Sequence, residues 1–215
     1  MATRYNIAMR ERWLLGVAAA AAVATVIALL AIDQPLAKFL AGYEIDKRPW
    51  EYVVGVGEYA IGIEPWKWIG VIALVVGVVA TRFVPRWHAY ALPWLFVAMT
   101  HLICWNMMIW GKHISGRIRP MQWHGGATFW KHGGSFPSGH TMLFASILLP
   151  LALIFPRART VCLIGVAFVM TARIAVSAHF LADVTCGLAL TSLVTWLCWT
   201  WTRRLSWPTP SASRQ

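Results

Sequence analysis

Charge is what this chain has least of. Charged residues make up 13% of its 215 residues, hydrophobic ones 59%, and the mean hydropathy is +0.59. Soluble domains carry about 25% charged residues, so a water-soluble globular fold is excluded. Acids are scarcest of all. There are 8, and six of them (Asp33, Glu44, Asp46, Glu51, Glu58 and Glu64) lie within 33–66, leaving only Glu11 and Asp183 elsewhere. Cysteine is also rare. Cys104, Cys162, Cys186 and Cys198 lack any C-x-x-C spacing and fall inside apolar segments. That argues against a zinc knuckle or a disulfide framework, and the four read as small core residues. The net charge of +11 would suggest nucleic acid in a soluble protein. Here the basic residues sit at the ends of apolar runs, as they do at cytoplasmic helix ends, so no nucleic-acid partner is expected.

Long apolar runs are what the chain has instead. They cover 13–32, 68–80 with flanking residues, 88–110, 141–155, 161–176 and 181–201. A run of about 20 apolar residues crosses a bilayer. The first follows a basic stretch, as in a signal peptide. It is long for one, however, and no Ala-x-Ala site follows it before Asp33, so it reads as an uncleaved span. The expected fold class is all-α: a six-span transmembrane helical bundle with short extracytoplasmic interfacial helices. Those interfacial helices are expected in 33–66, where Glu58 interrupts a short apolar stretch. One integral membrane domain over 1–205 and a disordered tail at 206–215 complete the layout.

Orientation follows from the basic pairs. Arg10/Arg12, Arg82/Arg86, Arg157/Arg159 and Arg203/Arg204 occur at every second membrane boundary. The positive-inside rule places them, and both termini, in the cytoplasm. The 14 tryptophans include many near these boundaries, where indole rings form an interfacial belt.

Three polar blocks interrupt the apolar background, and all fall on the opposite face. The first is Lys112, six residues, then Arg119-Pro120. The second is Pro137-Ser138-Gly139-His140. The third is Arg173, five residues, His179, three residues, Asp183. Ionisable side chains near membrane segments are costly and mark functional sites. Lys112, Arg119 and Arg173 suit the oxygens of a phosphate. Pro120 pushes Arg119 out of helical geometry. Ser138 is expected to cap the next helix, and Gly139 lets its free N–H groups approach an anion. His179 and Asp183, four apart, are expected on one helical face, with the carboxylate orienting the imidazole as a nucleophile. His140 is placed to protonate a leaving oxygen. Arg117 and Lys131 are read as lipid-headgroup anchors. His113, His124 and His132 have no carboxylate or cysteine at ligand spacing, so no metal is expected.

Together the blocks resemble the three-part signature of the type 2 phosphatidic acid phosphatase family, which includes bacterial acid phosphatases and vanadium haloperoxidases. The likeness covers 112–183. One departure is Ala172, where the family usually has serine. The resemblance implies a metal-independent membrane phosphatase without a cofactor. His179 would form a phosphohistidine, Asp183 would orient it, and His140 would protonate the leaving group. Lys112, Arg119, Ser138, Gly139 and Arg173 would hold the phosphoryl oxygens. The expected partners are the bilayer and a lipid phosphate: undecaprenyl diphosphate, a lipid A phosphate, phosphatidylglycerol phosphate or phosphatidic acid. The expected location is a bacterial inner membrane with the site facing the periplasm. The alternatives are a lipid phosphotransferase using the same intermediate and a non-catalytic lipid-binding scaffold.

Overall fold

Apolar runs of this length become helices because, in a bilayer, each segment must satisfy its own backbone N–H and C=O groups. The computed structural model describes residues 11–43, 45–60 and 69–205, without the side chains of Ile69 and Arg82. Readings placed on Arg4, Arg10, Glu44, Glu64, Trp66, the Arg82 side chain and 206–215 lie outside the described residues. The fold is 80% helix, with no strand among the described residues.

Helix α1 (Arg12–Ile27) passes through a π-helical turn (Ala28–Ile32) into α2 (Asp33–Ala41). Then come α3 (Arg48–Ala60), α4 (Ile69–Phe83), α5 (Ala91–Ser115), α6 (Gly139–Ile154), α7 (Arg159–Ala175) and α8 (Leu181–Thr202). Four stretches are long and apolar enough to cross a membrane: Arg12–Ala41, Pro85–Gln122, Pro156–Ala175 and Leu181–Thr202. They make the chain an integral membrane protein. The remaining two apolar segments form shorter helices, Gly70–Thr81 and Gly139–Ile154.

The bundle is organised around two helices. α1 lies along α8, and α6 touches α5, α7 and α8. Their shared core includes Leu14, Phe96, Met142, Leu149 and Val194. α1 and α8 run antiparallel, and their contacts define two polar ends. At one end the Glu11 carboxylate accepts from Trp199 Nε1 and Arg203 Nη1, both at 2.6 Å, and Arg159 lies 5.3 Å from the Trp13 ring. At the other end are Asp33, Arg117 and Asp183.

One expectation for 33–66 is corrected. Asp33 does not begin a surface segment. The first helix continues through it to Ala41, and Asp33 is buried. α3 turns an apolar face outward. It exposes Tyr52, Val53, Val56 and Tyr59 while burying Val54. It is docked on the bundle by Trp50 stacking on Phe168 of α7 (5.7 Å, 24°).

Candidate active site

The site is assembled by the connection between α5 and α6. α5 ends at Gly116, which takes a left-handed φ of +50 that glycine adopts without a steric penalty. The chain then folds back on itself. Lys131 and Gly133 donate to the Gly116 carbonyl at 2.8 and 3.0 Å, and Ser135 donates to the Arg117 carbonyl at 2.9 Å. Arg119 is extended (φ −83, ψ 154), as Pro120 requires. Ser138 caps α6, its Oγ accepting from the Thr141 N–H at 3.5 Å.

Gly139 is where a side chain would not fit. A Cβ there would lie 2.7 Å from Met108 Sδ and 3.0 Å from Lys112 Nζ. The Lys112 ammonium therefore sits against the first turn of α6. Free N–H groups and the helix dipole favour an anion at such a turn. Lys112, Arg119, Gly139 and His140 all line one cavity of about 740 Å³, with Trp105, Met108 and Leu143 among its apolar walls. His140 Nε2 is bonded to Glu58 of α3, on the same cavity. Among the described residues no three His, Cys, Asp or Glu side chains converge as a metal-ligand set.

His179 is not helical, contrary to the expectation of a shared helical face. It lies in the turn between α7 and α8, two residues before α8 begins at Leu181. The Ala178 and His179 N–H groups both donate to the Arg173 carbonyl, at 3.1 and 3.2 Å, which ties Arg173 to this turn. Ser177, within it, has a φ of +57. A non-glycine residue held there stores about 1 kcal/mol or more of strain, a feature that concentrates at functional turns. Asp183 still meets His179: Oδ2 lies 3.5 Å from Nδ1. Ser135 Oγ is 3.4 Å from the same nitrogen. His179, Ser138 and Arg173 do not line the 740 Å³ cavity.

Asp183 is held from several sides. Its Oδ2 also accepts from the Phe180 N–H at 2.8 Å and from Ser135 Oγ. Its Oδ1 accepts from Arg117 Nη1 at 2.6 Å, and Arg117 Nη2 donates to Asp33 Oδ2 at 2.7 Å. Asp33 Oδ1 accepts in turn from the Ala182 N–H at 3.0 Å. The guanidinium lies between the Phe180 and Phe129 rings, 4.2 and 4.7 Å from their centroids. Arg117 is 2% exposed, so its reading as a headgroup anchor is corrected: it is a buried bridge between two carboxylates. Arg117, Asp33, Ser135 and Glu58 are absent from the three sequence blocks. The signal that could have found the first two was charge itself, since an arginine and an aspartate beside apolar runs are costly unless paired.

Burial pulls the His179 imidazole down to about 4, against the opposing pull of Asp183. At neutral pH it is therefore uncharged. With Nδ1 turned toward Asp183 and Ser135, the lone pair left for chemistry is on Nε2. Glu58 has its carboxyl held below the usual carboxylate range, first by the hydrogen bond from His140. The arrangement combines a neutral, oriented imidazole, a second histidine bonded to a carboxylate, and three cations near a helix N-terminus. Such a set can bind an oxyanion, attack it and protonate what leaves.

Comparison with known proteins points the same way. Residues 89–207 match the model of the PAP2 superfamily. The chain is 35% identical over 85 residues to a lipid A 1-phosphatase of Rhizobium etli, a stretch covering 36% of this chain and 37% of that relative. The match thus spans little more than a third of the curated relative. A crystal structure of a transmembrane PAP2 type phosphatidylglycerolphosphate phosphatase from Bacillus subtilis superposes with a TM-score of 0.51 at 18% identity, covering 94% of this chain and 98% of that one. At that identity the likeness concerns the fold.

Proposed function

The chain belongs to the PAP2 superfamily, and from that membership we propose that it is a membrane lipid phosphatase acting through a phosphohistidine. The observation that carries the reading is the His179–Asp183 pair, buried and anchored, close to a cation-lined cavity that also holds His140.

In the first step His179 Nε2 attacks phosphorus, forming an N–P bond as the bond to the leaving oxygen breaks. His140 gives its Nε2 proton to that oxygen. In the second step water attacks phosphorus and gives a proton to His140, the N–P bond breaks, and phosphate leaves with both histidines restored. Asp183 holds the ring and stabilises its charge, as in hydrolase triads. Lys112, Arg119 and Arg173, with the Ser138 hydroxyl and the Gly139 N–H, neutralise charge on the equatorial oxygens. Ala172, in place of the family's usual serine, leaves this set one hydroxyl short.

The proposed topology has six crossings. Both termini and the Glu11–Arg203 end lie in the cytoplasm, and the site faces the periplasmic side of a bacterial inner membrane. The match to a lipid A 1-phosphatase favours a lipid phosphate exposed on that face. The test is phosphate release in detergent with EDTA present, from a panel of lipid phosphates, for wild type and His179→Ala. Release that survives EDTA and disappears in the variant supports the reading. Undiminished release by His179→Ala, or no release from any lipid, overturns it. Adding an acceptor lipid and analysing products separates hydrolysis from phosphoryl transfer.

A further inference from the structure

A phosphate site gains nothing obvious from a carboxylate on its wall, yet Glu58 lines the cavity that holds Lys112, Arg119, Gly139 and His140. Its place is set by packing. The neighbouring Gly57 lies so close to Phe144 of α6 that a Cβ there would be 2.7 Å from the ring. Trp50, two turns earlier on α3, stacks on Phe168 of α7. Glu58 is thus presented to the cavity by a docked helix.

Its partner says what the position is for. Glu58 Oε1 bonds His140 Nε2, the nitrogen proposed to protonate the leaving oxygen. The atom on that nitrogen marks where the leaving oxygen will sit. When a substrate takes the place, the Glu58 carboxylate is displaced only as far as α3 allows. It then borders the first atoms of the leaving group. A carboxylate there accepts hydrogen bonds from hydroxyl groups and repels a second phosphate.

The charge balance agrees. Around His140 and Arg173 lie Lys112, Arg119 and Arg173 itself as cations and Glu58 and Glu51 as carboxylates. The cavity wall carries Lys112 and Arg119 against Glu58, and Arg173 near His140 is faced by Glu51, so the net positive charge is small, about +1. A phosphate monoester, about −1.5 to −2 at neutral pH, already offsets it. A diphosphate carries more negative charge, and the surplus sits on the leaving group.

We infer that Glu58 selects the leaving group: the site accepts phosphate monoesters of uncharged, hydroxyl-bearing lipid headgroups and rejects lipid diphosphates, whose leaving group is itself an anion. This rests on the lipid phosphatase reading above and narrows its substrate class. Chemistry alone favours the opposite order, since a phosphate leaves more easily than an alcohol. A preference for monoesters must therefore come from the site.

The experiment compares farnesyl monophosphate with farnesyl diphosphate, which share one apolar tail and differ in leaving-group charge. kcat/KM is measured for wild type, Glu58→Gln and Glu58→Asp in detergent. Wild type and Glu58→Asp are expected to favour the monophosphate by about tenfold or more, and Glu58→Gln to narrow that ratio by about tenfold. Any general weakening of His140 in Glu58→Gln affects both substrates and largely cancels in the ratio. A wild-type preference for the diphosphate, or a Glu58→Gln ratio within about twofold of wild type, overturns the inference and leaves the phosphatase reading standing. Release from neither substrate, nor from any lipid of the wider panel, overturns both. A measurement on wild type alone covers a Glu58→Gln variant that does not fold. Inorganic phosphate is expected to inhibit more strongly than pyrophosphate, and the reverse order overturns the inference.

Discussion

Replacing Arg117 separates two accounts of this arginine by a wide margin. Arg117→Met removes a guanidinium that bonds Asp183 at 2.6 Å and Asp33 at 2.7 Å, with all three side chains 2% exposed or less. At that burial no solvent screening weakens the pairs. Removing one partner of a buried pair costs about 3–5 kcal/mol, because the remaining charge is left uncompensated. Here two carboxylates are left, so the upper part of that range is expected. An interfacial headgroup anchor would cost about 0.5 kcal/mol or less. Asp33→Asn is the graded control. It keeps an acceptor for the Ala182 N–H and leaves Arg117 on Asp183, so about 1–3 kcal/mol is expected. Thermal unfolding in detergent gives the order of stability, and phosphate release gives the consequence for His179. Arg117→Met should lose at least about a hundredfold in kcat, because Asp183 is no longer held. An Arg117→Met protein with wild-type melting temperature and kcat would refute the argument that this triad supports the site.

Other consequences are as specific. Gly139→Ala places a Cβ 2.7 Å from Met108 Sδ and 3.0 Å from Lys112 Nζ. Displacing the ammonium should raise KM for a lipid phosphate by about tenfold or more, read from initial rates. Ser135→Ala removes a hydroxyl that bonds Asp183 and approaches His179 Nδ1. It should cost about 1–3 kcal/mol in stability and lower kcat more than it raises KM. Since His179 is depressed to about 4, it stays neutral as pH falls from 7. The acid limb of kcat/KM assigned to His179 should therefore lie near 4 rather than near 6.5. Unfolded histidine gains its proton near 6.5 and the folded one does not, so His179 should erode stability as pH falls from about 6.5 to 4. Melting temperatures of wild type and His179→Asn over that range check the sign.

Much of the architecture could be read from the chain because the bilayer allows so few structures. A long apolar run has to be a helix, and the helices form at the expected segments. The N-cap at Ser138 and the extended Arg119 were legible because each rests on a local rule: a serine oxygen accepting from its own first turn, and a proline restricting the residue before it. What sequence did not reveal depends on distant partners. Arg117 looks like any interfacial cation until Asp33, 84 residues away, is seen bonded to it. By polarity alone Asp33 reads as the end of a span. The helix runs on because the carboxylate is satisfied by Arg117 and the Ala182 N–H. His179 and Asp183 have helical spacing, but α8 begins between them. They meet through a turn fixed by the Arg173 carbonyl. Glu58 could be seen only as a charge interrupting an apolar stretch, since its partner His140 lies 82 residues further on.

The central claim is that His179 carries the phosphoryl group. Its most direct test is to quench wild-type enzyme with base during turnover of a phosphorus-labelled lipid phosphate and map the label by peptide mass spectrometry. The account predicts an acid-labile, base-stable label on the peptide containing His179, absent from His179→Ala and unaffected by EDTA. Label on any other residue, or steady phosphate release by His179→Ala, would contradict it.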